Sequence, residues 1–460
     1  MLWTSQELNA ALNLRQMSCS GVGIHGVSID SRTISRGDLF IALDGKSGKS
    51  LQHNIVEARD GHKFISAAES NGAAAVICSK KIECKIPFFM VNDTLDALWD
   101  LAKFARDRMI GEDIPITGSA GKTTSRAWLE QLLRAQGSAH ASVASYNNHW
   151  GVPLSLSRMP ADADYGIFEV GMNHRGEIAP LSALVRPQVA LVLNVLPAHI
   201  GHLGTLDAIR REKLDISEGL VSGGTLLLPF DLDQTGLAKN LNILTFGLSD
   251  DADISGKIIK CNDPWLLEVK VNQDRFEFSI QSGGEHLAKT ALATLAAVYA
   301  LGGNLHTAVA DIDKLGLPSG RGNLLNVSGR CIIDDSYNAN VVSMQYAIDN
   351  LGRKPGGKKI ALLGEMKEVG DHGPPMHHDV LMSCEKLDAV ITVGRGFHDS
   401  REILGARLLQ HAEYSGDIDL DRLVAYTEPG DTILVKGSNA IFWRHQFVDS
   451  LVSAMKNRRT

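Results

Sequence analysis

DIPITGSAGKTTSRAWLEQLLRAQ, residues 113–136, decides the fold of this chain. A short apolar strand around Ile114 and Ile116 runs into Thr117-Gly118-Ser119-Ala120-Gly121-Lys122-Thr123-Thr124. A helix follows with Trp128, Leu129, Leu132 and Leu133 on one face, and it stops at Gly137. Strand, glycine-rich turn and helix in this order form a phosphate cradle. Glycines let backbone N–H groups close around an anion at the helix N-terminus, Lys122 adds a point charge, and the Thr123 hydroxyl is placed to ligate magnesium. The common nucleotide loop carries a glycine five residues before Gly121, where this chain has Ile116, so the loop is a shorter TGxxGKTT variant. Pro115 removes a ladder donor and predicts that the strand is short.

Working outward, Tyr165-Gly166-Ile167-Phe168-Glu169-Val170-Gly171 reads as a strand with one carboxylate near its C-terminal end. In an open parallel sheet ligands bind at that edge, so Glu169 is expected to face the same crevice as Lys122. The competing reading makes Glu169 a cap for the helix after Gly176. A third apolar run, Val189–Val195, ends at Asn194, Pro197 and His199, and a helix from Leu206 to Glu218 contains Lys213. A single histidine after a strand is usually an ordinary hydrogen-bonded residue. Here Thr123, Glu169 and His199 each end a different strand, which offers O, O and N donors around one phosphate site. Residues 220–282 read as β-rich and 285–302 as a buried alanine-rich helix. Strand and helix alternation places 110–316 among doubly wound sheets.

The flanks read as two further domains. Residues 1–109 form a small mixed α/β unit: Val27–Arg32 and Gly37–Leu43 as strands, Asp60-Gly61-His62-Lys63-Phe64-Ile65 opening a helix to Gly72, and Ala73–Cys78 as a buried strand. On its own Ser31-Arg32 reads as a solvated strand end, and the GKS of Asp44–Ser50 lacks the flanking strand and helix of a nucleotide loop. Residues 317–460 form a second open α/β sheet, with strands at 331–335, 359–364, 388–394 and 432–437 and helices such as Ser343–Leu351 and Phe442–Met455. Polar clusters follow these strands: Asp335–Asn340, Glu365–His378 and Lys436–Asn439.

With 460 residues, 44% apolar and 22% charged, the chain has room for roughly three ordinary globular domains. A net charge of −7 and the lack of a basic run interleaved with aromatics argue against nucleic acid as partner. Cys19, Cys78, Cys84, Cys261, Cys331 and Cys384 show no CxxC spacing, so neither zinc nor a disulfide framework is indicated and a reducing cytoplasm fits. MLWTSQELNAALNL reads as an amphipathic first helix rather than a signal peptide, and no apolar run approaches the ~18 residues of a membrane span.

In sequence order, TGSAGKTT, YNNHWGVPLSL, FEVGMNHRGEI, AHIGHLGTLDAIRREK, GRGN, IIDDSYNAN, LGEMKEVG with His377, and LVKGS resemble the Mur ligase family. DSR, GDLF and DGHKFI extend the resemblance to the first domain, so it covers nearly the whole chain. It implies a uridine-nucleotide domain, a central P-loop ATPase domain and a C-terminal Rossmann-like domain. DDSYNAN and LGEM resemble the member that joins D-alanyl-D-alanine to a UDP-N-acetylmuramoyl-tripeptide through an acyl phosphate, using ATP and magnesium, as a cytoplasmic monomer. The implied ATP contacts are the loop residues with His286, Arg321, Asp335 and Asn338. Thr123 and Glu169 resemble the ligands of one magnesium, and His199 a ligand of another. Catalytic roles fall to Lys122, His199 and Lys213, the last of which matches a lysine that is carbamylated in the family and then supports a metal. Without the resemblance, Arg210-Arg211-Glu212-Lys213 reads as a solvated helix face. Ser31, Arg32, Asp60, Gly61 and His62 fall to the UDP end, and Asn147, Asn148, His377, Lys436 and Ser438 to the peptide or acceptor side.

Two positions depart from the family pattern: Thr290 stands where an adenine-contacting asparagine is usual, and Asn439 where an arginine is common. Rival readings are a sister ligase adding the third amino acid, a folylpolyglutamate synthase, and an inactive nucleotide-binding scaffold.

Overall fold

The computed structural model describes residues 1–14, 21–45, 60–143, 145–198, 200–261, 264–280 and 284–457. Cys19, His199 and most of the Asp44–Ser50 loop lie outside the described residues. At the N-terminus a ribbon of β1 (Trp3–Thr4) and β2 (Gly23–Ile24) brackets α1 (Ser5–Ala11), whose Thr4 and Glu7 form a reciprocal capping box. The first sheet is parallel and runs in chain order: β3 (Gly26–Ser28), β4 (Asp38–Ile41), β5 (Ala75–Cys78) and β6 (Phe88–Met90). A 3₁₀ turn at Gly61–Phe64 leads into α2 (Ile65–Ser70). The Asp93 carboxylate starts α3 (Thr94–Arg108) by accepting the N–H groups of Leu95 and Asp96.

The central unit comprises β7 (Glu112–Thr117), α4 (Lys122–Arg134), β8 (Ala139–Ala141), α5 (Gly151–Ser157), β9 (Tyr165–Glu169), α6 (Ile178–Val185) and β10 (Val189–Val192). It continues through α7 (Ile200–Leu203), α8 (Leu206–Leu214), β11 (Thr225–Pro229), β12 (Asn242–Gly247), β13 (Ile254–Lys260), β14 (Trp265–Val271), β15 (Asp274–Ile280), α9 (Glu285–Ala300) and α10 (Leu305–Ile312). Nine strands form one sheet in the order β8-β9-β7-β10-β11-β12-β13-β14-β15, parallel as far as β13 and antiparallel beyond. The inner strands β7, β9, β10 and β11 are buried on both faces, as parallel strands covered by helices require. Ala190, Val192, Leu226 and Leu228 pack with α5 and α6, while Val189, Leu191 and Leu227 pack with the Trp128, Leu129, Leu132 and Leu133 face of α4 and with α9. Connections leave β7 in one direction and β10 in the other, so the crevice outside their C-terminal ends is the topological switch point.

The strand around Pro115 is longer than expected, six residues in mid-sheet. Thr117 O accepts from Leu193 N–H and Ile116 O from Val170 N–H, so by alternation Pro115 faces β10. Pairing with β10 begins only at Ile116, and the missing donor falls just outside that ladder.

The first and central units share one continuous apolar cluster, built largely where α3 packs on α5. Long-range bonds reinforce it: Trp99 Nε1–H donates to His149 O (2.8 Å), Trp3 Nε1–H to Ser157 O (2.8 Å) and Arg158 Nε–H to Val27 O (2.6 Å).

The C-terminal unit consists of β16 (Asn323–Val327), β17 (Arg330–Asp335), α11 (Val341–Gly352), β18 (Lys359–Gly364), α12 (Gly373–Met382), β19 (Ala389–Val393), β20 (Leu408–Ala412), α13 (Leu420–Tyr426), β21 (Thr432–Lys436) and α14 (Phe447–Asn457). Its sheet order is β16-β17-β21-β18-β19-β20, with only β16 antiparallel. The edge strands β16 and β20 add to the four expected from sequence. The last helix begins at Phe447, not Phe442, because a 3₁₀ turn at Trp443–His445 ends on Gln446 in a left-handed conformation (φ 51°).

Candidate active site between the central and C-terminal sheets

The loop from β7 to α4 is shaped for an anion. Gly121 occupies the helix N-cap at φ 85° and carries no capping side chain, so the first-turn N–H groups are left for a ligand. A side chain at Gly118 would meet Leu193 Cβ at 2.9 Å, which ties the loop to the end of β10. Asn194 holds it from that strand: Ala120 N–H donates to Asn194 Oδ1 (3.0 Å) and Asn194 Nδ2–H to Ala120 O (3.0 Å). Ser119 joins the same edge, with Oγ donating to Leu196 O (2.8 Å) and accepting from Leu196 N–H (2.9 Å). In the sequence Asn194 marks only the end of an apolar run; its role depends on β10 lying next to β7. Lys122 folds back so that Nζ donates to Gly118 O (2.5 Å). Burial brings its pKa down to about 8, opposed by the Glu169 charge.

Thr123 and Glu169 meet as expected. Thr123 Oγ1 donates to Glu169 Oε2 (3.2 Å), and Arg126 Nε–H donates to the other carboxylate oxygen (3.2 Å). Burial raises the Glu169 pKa, and Arg126, Lys122 and Arg321 pull against that rise. The alternative of Glu169 as helix cap is overturned, because Glu212 does that work. Its carboxylate accepts from Gly176 N–H (2.7 Å), Glu177 N–H (2.9 Å) and Ile178 N–H (3.0 Å) at the start of α6.

The solvated-face reading of 210–213 also fails: Arg210, Glu212 and Lys213 are buried, and only the Arg211 side chain is largely exposed. Lys213 is 2% exposed, and burial, with the Lys122 charge adding to it, holds its pKa well below the ordinary lysine value. Among the described residues no three His, Cys, Asp or Glu side chains gather as a metal cluster. The hydroxyl and carboxylate of Thr123 and Glu169 are nevertheless the hard oxygen donors that suit magnesium, which completes its shell with water and phosphate oxygens.

A cavity of about 340 Å³ extends from this loop to the C-terminal sheet, and Ser119, Ala120, Gly121, Thr124, His286, Arg321, Asp335 and Asn338 all line it. Arg321 Nη2–H reaches across to Thr123 Oγ1 (3.1 Å). Lys436 was expected on the acceptor side, but it lines this cavity too, with Nζ donating to Asp335 Oδ2 (2.7 Å) and Asn338 O (3.2 Å). The parallel register of β17 and β21 sets Asp335 opposite Lys436. At the far end His286 stacks on Tyr346, with centroids 5.8 Å apart, and the Thr290 hydroxyl is spent on His286 O (2.9 Å).

The remaining expected residues lie farther out. Ser31, Gly61 and Ser79 follow β3, β4 and β5 at the C-terminal edge of the first sheet. Arg32 is exposed and closes on Asp30 (2.6 Å), while Asp60 bonds His62 Nδ1 (2.7 Å) and Lys80 Nζ (2.5 Å). Asn147 O accepts from Gly171 N–H (2.7 Å), and Asn148 Oδ1 accepts from Gly151 N–H (2.9 Å) as α5 opens. His377 departs from its expected role facing the peptide or acceptor. It is buried, Nε2 accepts from Met366 N–H of the LGEM loop (2.9 Å) and Nδ1–H donates to Gly373 O within α12 (2.7 Å), so both ring nitrogens are already used. Ser438 Oγ supports the same loop by accepting from Lys367 N–H (2.9 Å). Asn439 Oδ1 accepts from Arg444 Nε–H (2.9 Å).

Three family domains match the chain in order: "Mur ligase family, catalytic domain" over residues 23–103, "Mur ligase middle domain" over 116–298, and "Mur ligase, glutamate ligase domain" over 320–439. The UDP-N-acetylmuramoyl-tripeptide–D-alanyl-D-alanine ligase of Bacillus subtilis (strain 168) is 31% identical, covering 91% of this chain and 88% of that protein. Among solved structures, MurF from Acinetobacter baumannii superposes with a TM-score of 0.85 at 28% identity, over 98% of this chain and 99% of that one. MurF from Thermotoga maritima, in complex with ADP, gives 0.79 at 26% identity, over 96% and 100%.

Proposed function

The chain belongs to the Mur ligase family, and from that premise we propose how its residues divide the reaction between them. It is an ATP- and magnesium-dependent ligase that joins D-alanyl-D-alanine to UDP-N-acetylmuramoyl-tripeptide in peptidoglycan precursor synthesis. The observation that carries the site assignment is the convergence of Lys122, Thr123 and Glu169 from the central sheet with Arg321 from the C-terminal one.

Amide formation from a carboxylate is uphill in water, so activation comes first. An oxygen of the tripeptide carboxylate attacks the γ-phosphorus of ATP, the bond to the bridging oxygen breaks, and ADP leaves an acyl phosphate. The uncharged amine of D-alanyl-D-alanine then attacks the acyl carbon as the C=O pair moves onto oxygen, the nitrogen gives up a proton to water, and collapse of the tetrahedral adduct re-forms the C=O and expels phosphate. Negative charge builds on phosphoryl oxygens and then on the tetrahedral oxygen, where preorganised donors are usually the largest catalytic contribution. In this chain those donors are the first-turn N–H groups of α4, Lys122 and Arg321. Thr123 and Glu169 would hold magnesium, which supplies charge neutralisation to the phosphate oxygens. Asp335, Lys436, Asn338 and His286 line the rest of the nucleotide cavity.

Lys213 takes up carbon dioxide in this reading. Burial favours its neutral amine, the nitrogen lone pair forms the N–C bond, a C=O pair moves onto oxygen, and the proton lost from nitrogen goes to water. The resulting anion places negative charge near Lys122 and would supply an oxygen donor for a second ion, with His199 as the other donor. Ser31, Arg32, Asp60, Gly61 and His62 are assigned to the uridine nucleotide, because they follow strands at one edge of the first sheet. Asn147 and Asn148, next to the end of β9, are assigned to the peptide, and Ser438 to shaping the acceptor loop. No helix among the described residues is long and apolar enough to cross a membrane. On the likeness to ligases of peptidoglycan precursor synthesis, we take the enzyme to act in the cytoplasm, as a monomer.

Phosphate release measured with each substrate omitted in turn tests the reading. Release should require both the UDP-tripeptide and D-alanyl-D-alanine, and Lys122→Ala should lower the rate by about 10²-fold or more. Release with a UDP-dipeptide and a free amino acid would point to the sister ligase, and nucleotide binding without turnover to a scaffold.

A further inference from the structure

Tyr337 grips Arg321 in three ways. Its N–H donates to Gly320 O (3.1 Å), the residue before Arg321; its ring lies under the guanidinium with Cζ 4.1 Å from the centroid; and Trp443 packs edge-on against that ring (5.2 Å, 64°) to fix its plane. The Tyr337 hydroxyl leaves the C-terminal unit altogether and donates to Ser145 Oγ (2.8 Å) on the loop after β8. Ser145 Oγ stands 3.4 Å from Thr123 Oγ1, which donates in turn to Glu169. Tyr337, Ser145, Thr123 and the buried carboxylate therefore lie in one row, with the Ser145–Thr123 step at the long limit of a hydrogen bond. Arg321 reaches the same Thr123 oxygen from the side. Two contacts from one aromatic residue thus register the C-terminal sheet on the phosphate loop.

We propose that Tyr337 is the positioning residue that carries Arg321 to the phosphate loop when the C-terminal sheet closes, with Ser145 as its docking point on the central sheet. The inference rests on the ligase reading, since it matters only where phosphoryl transfer needs Arg321 in place. A bond made by closure should act on the chemical step more than on nucleotide capture, because the loop N–H groups and Lys122 belong to the central unit alone.

Tyr337→Phe keeps the ring and loses the hydroxyl, and Ser145→Ala removes the same bond from the other side. Each should lower kcat about 5- to 10-fold, leave KM for ATP within about 2-fold and shift the melting temperature by no more than about 4 °C, as expected for one lost hydrogen bond. The double variant should fall no further than either single one, because both cut one interaction. Tyr337→Leu, which also removes the platform under Arg321, should raise KM for ATP about 10-fold as well. Wild-type kcat in both single variants, additive losses in the double, or a fall in kcat that tracks a fall in melting temperature would overturn the proposal. If Tyr337→Phe does not fold, Ser145→Ala reads the same bond. Unmutated enzyme that releases no phosphate with both substrates present is a different failure, that of the ligase reading itself.

Discussion

Replacing Asn194 by alanine should disable the phosphate loop while leaving its glycines, Lys122 and Thr123 in place. The amide makes two bonds to one residue of the loop, at 3.0 Å each, and together they fix both polar groups of the Ala120 peptide. A neutral intramolecular hydrogen bond contributes about 0.5–1.5 kcal/mol net, so the pair contributes about 1–3 kcal/mol to loop order. Order lost from the free protein has to be restored on binding, and at 1.4 kcal/mol per decade the dissociation constant should rise about 5- to 150-fold. Titration calorimetry with a non-hydrolysable ATP analogue reads this directly. Asn194→Asp sharpens the test: it keeps the acceptor for Ala120 N–H, loses the donor, and brings a carboxylate into an anion site. Its affinity should be lower than that of the alanine variant and should improve when pH falls below the carboxylate range. Binding within about 2-fold of wild type in Asn194→Ala would refute the reasoning, since the missing bonds are then worth less than about 0.4 kcal/mol.

Asp113 is buried at the start of β7 with Oδ1 unpaired among the described residues, and burial pushes its pKa up to about 8. The native state therefore keeps a proton that the unfolded chain gives up above about pH 4, so stability falls as pH rises from about 4 to about 8. Four pKa units at 1.36 kcal/mol each set a ceiling of about 5 kcal/mol, roughly halved by relaxation and water penetration. Melting curves of Asp113→Asn should consequently gain on wild type between pH 5 and 8.5, and parallel curves would contradict the burial argument. Glu212→Gln weakens three charge-assisted bonds at the α6 N-terminus and should cost about 2–3 kcal/mol, read as a lowered denaturation midpoint. A Cβ on Gly201 would land 2.7 Å from Gly370 N and 2.9 Å from Glu368 O, so Gly201→Ala should separate α7 from the loop after β18 and cut ligase turnover about 10-fold or more while ATP-analogue binding persists. Because its hydroxyl is already used inside α9, Thr290→Ala should leave the ATP dissociation constant within about 2-fold, measured in the same calorimeter.

What could be read from sequence here is what local chemistry dictates. Gly118, Gly121, Lys122 and Thr123 lie within one turn, and the apolar run ending at Glu169 marks a strand whose tip must lie at the binding edge, so both came out of pattern alone. Asn194 and Glu212 did not, because their partners lie 74 and about 35 residues away and meet only once the strand order is known. The Lys436–Asp335 pair was illegible for the same reason: its partners lie 101 residues apart, and they meet because β21 inserts between β17 and β18. Edge strands β16 and β20 are short and half-exposed, and their sequences NLLNV and LLQHA carry little of the unbroken apolar signal that betrays a central parallel strand. Pro115 argued for a short strand on correct chemistry, and only the register of β10 shows why its missing donor does no harm.

The division of charge between the two sheets explains why neither could do the chemistry alone. The central unit buries Glu169 with Arg126 and Lys122 near it, and the burial that raises the Glu169 pKa also lowers that of Lys122. Burial thus works against both charges the chemistry uses, the carboxylate that would hold a cation and the ammonium that faces phosphate. Arg321, whose guanidinium remains charged in proteins, arrives from the C-terminal unit on Thr123 and favours the ionised carboxylate, and the same positive charge lowers the Lys122 pKa further. The arrangement is then short of negative charge at one place, the cavity above Lys122 and Arg321. Phosphate oxygens supply it, and in doing so favour the protonated form of Lys122. Closure and nucleotide binding are therefore linked through one electrostatic imbalance, which predicts that Arg321→Lys, keeping charge but losing the fork that reaches Thr123, should weaken the dependence of closure on nucleotide more than it weakens nucleotide binding. Scattering curves with and without an ATP analogue, set beside calorimetric affinities for the same variant, separate the two effects; equal losses in both would show that Arg321 is only one more phosphate ligand.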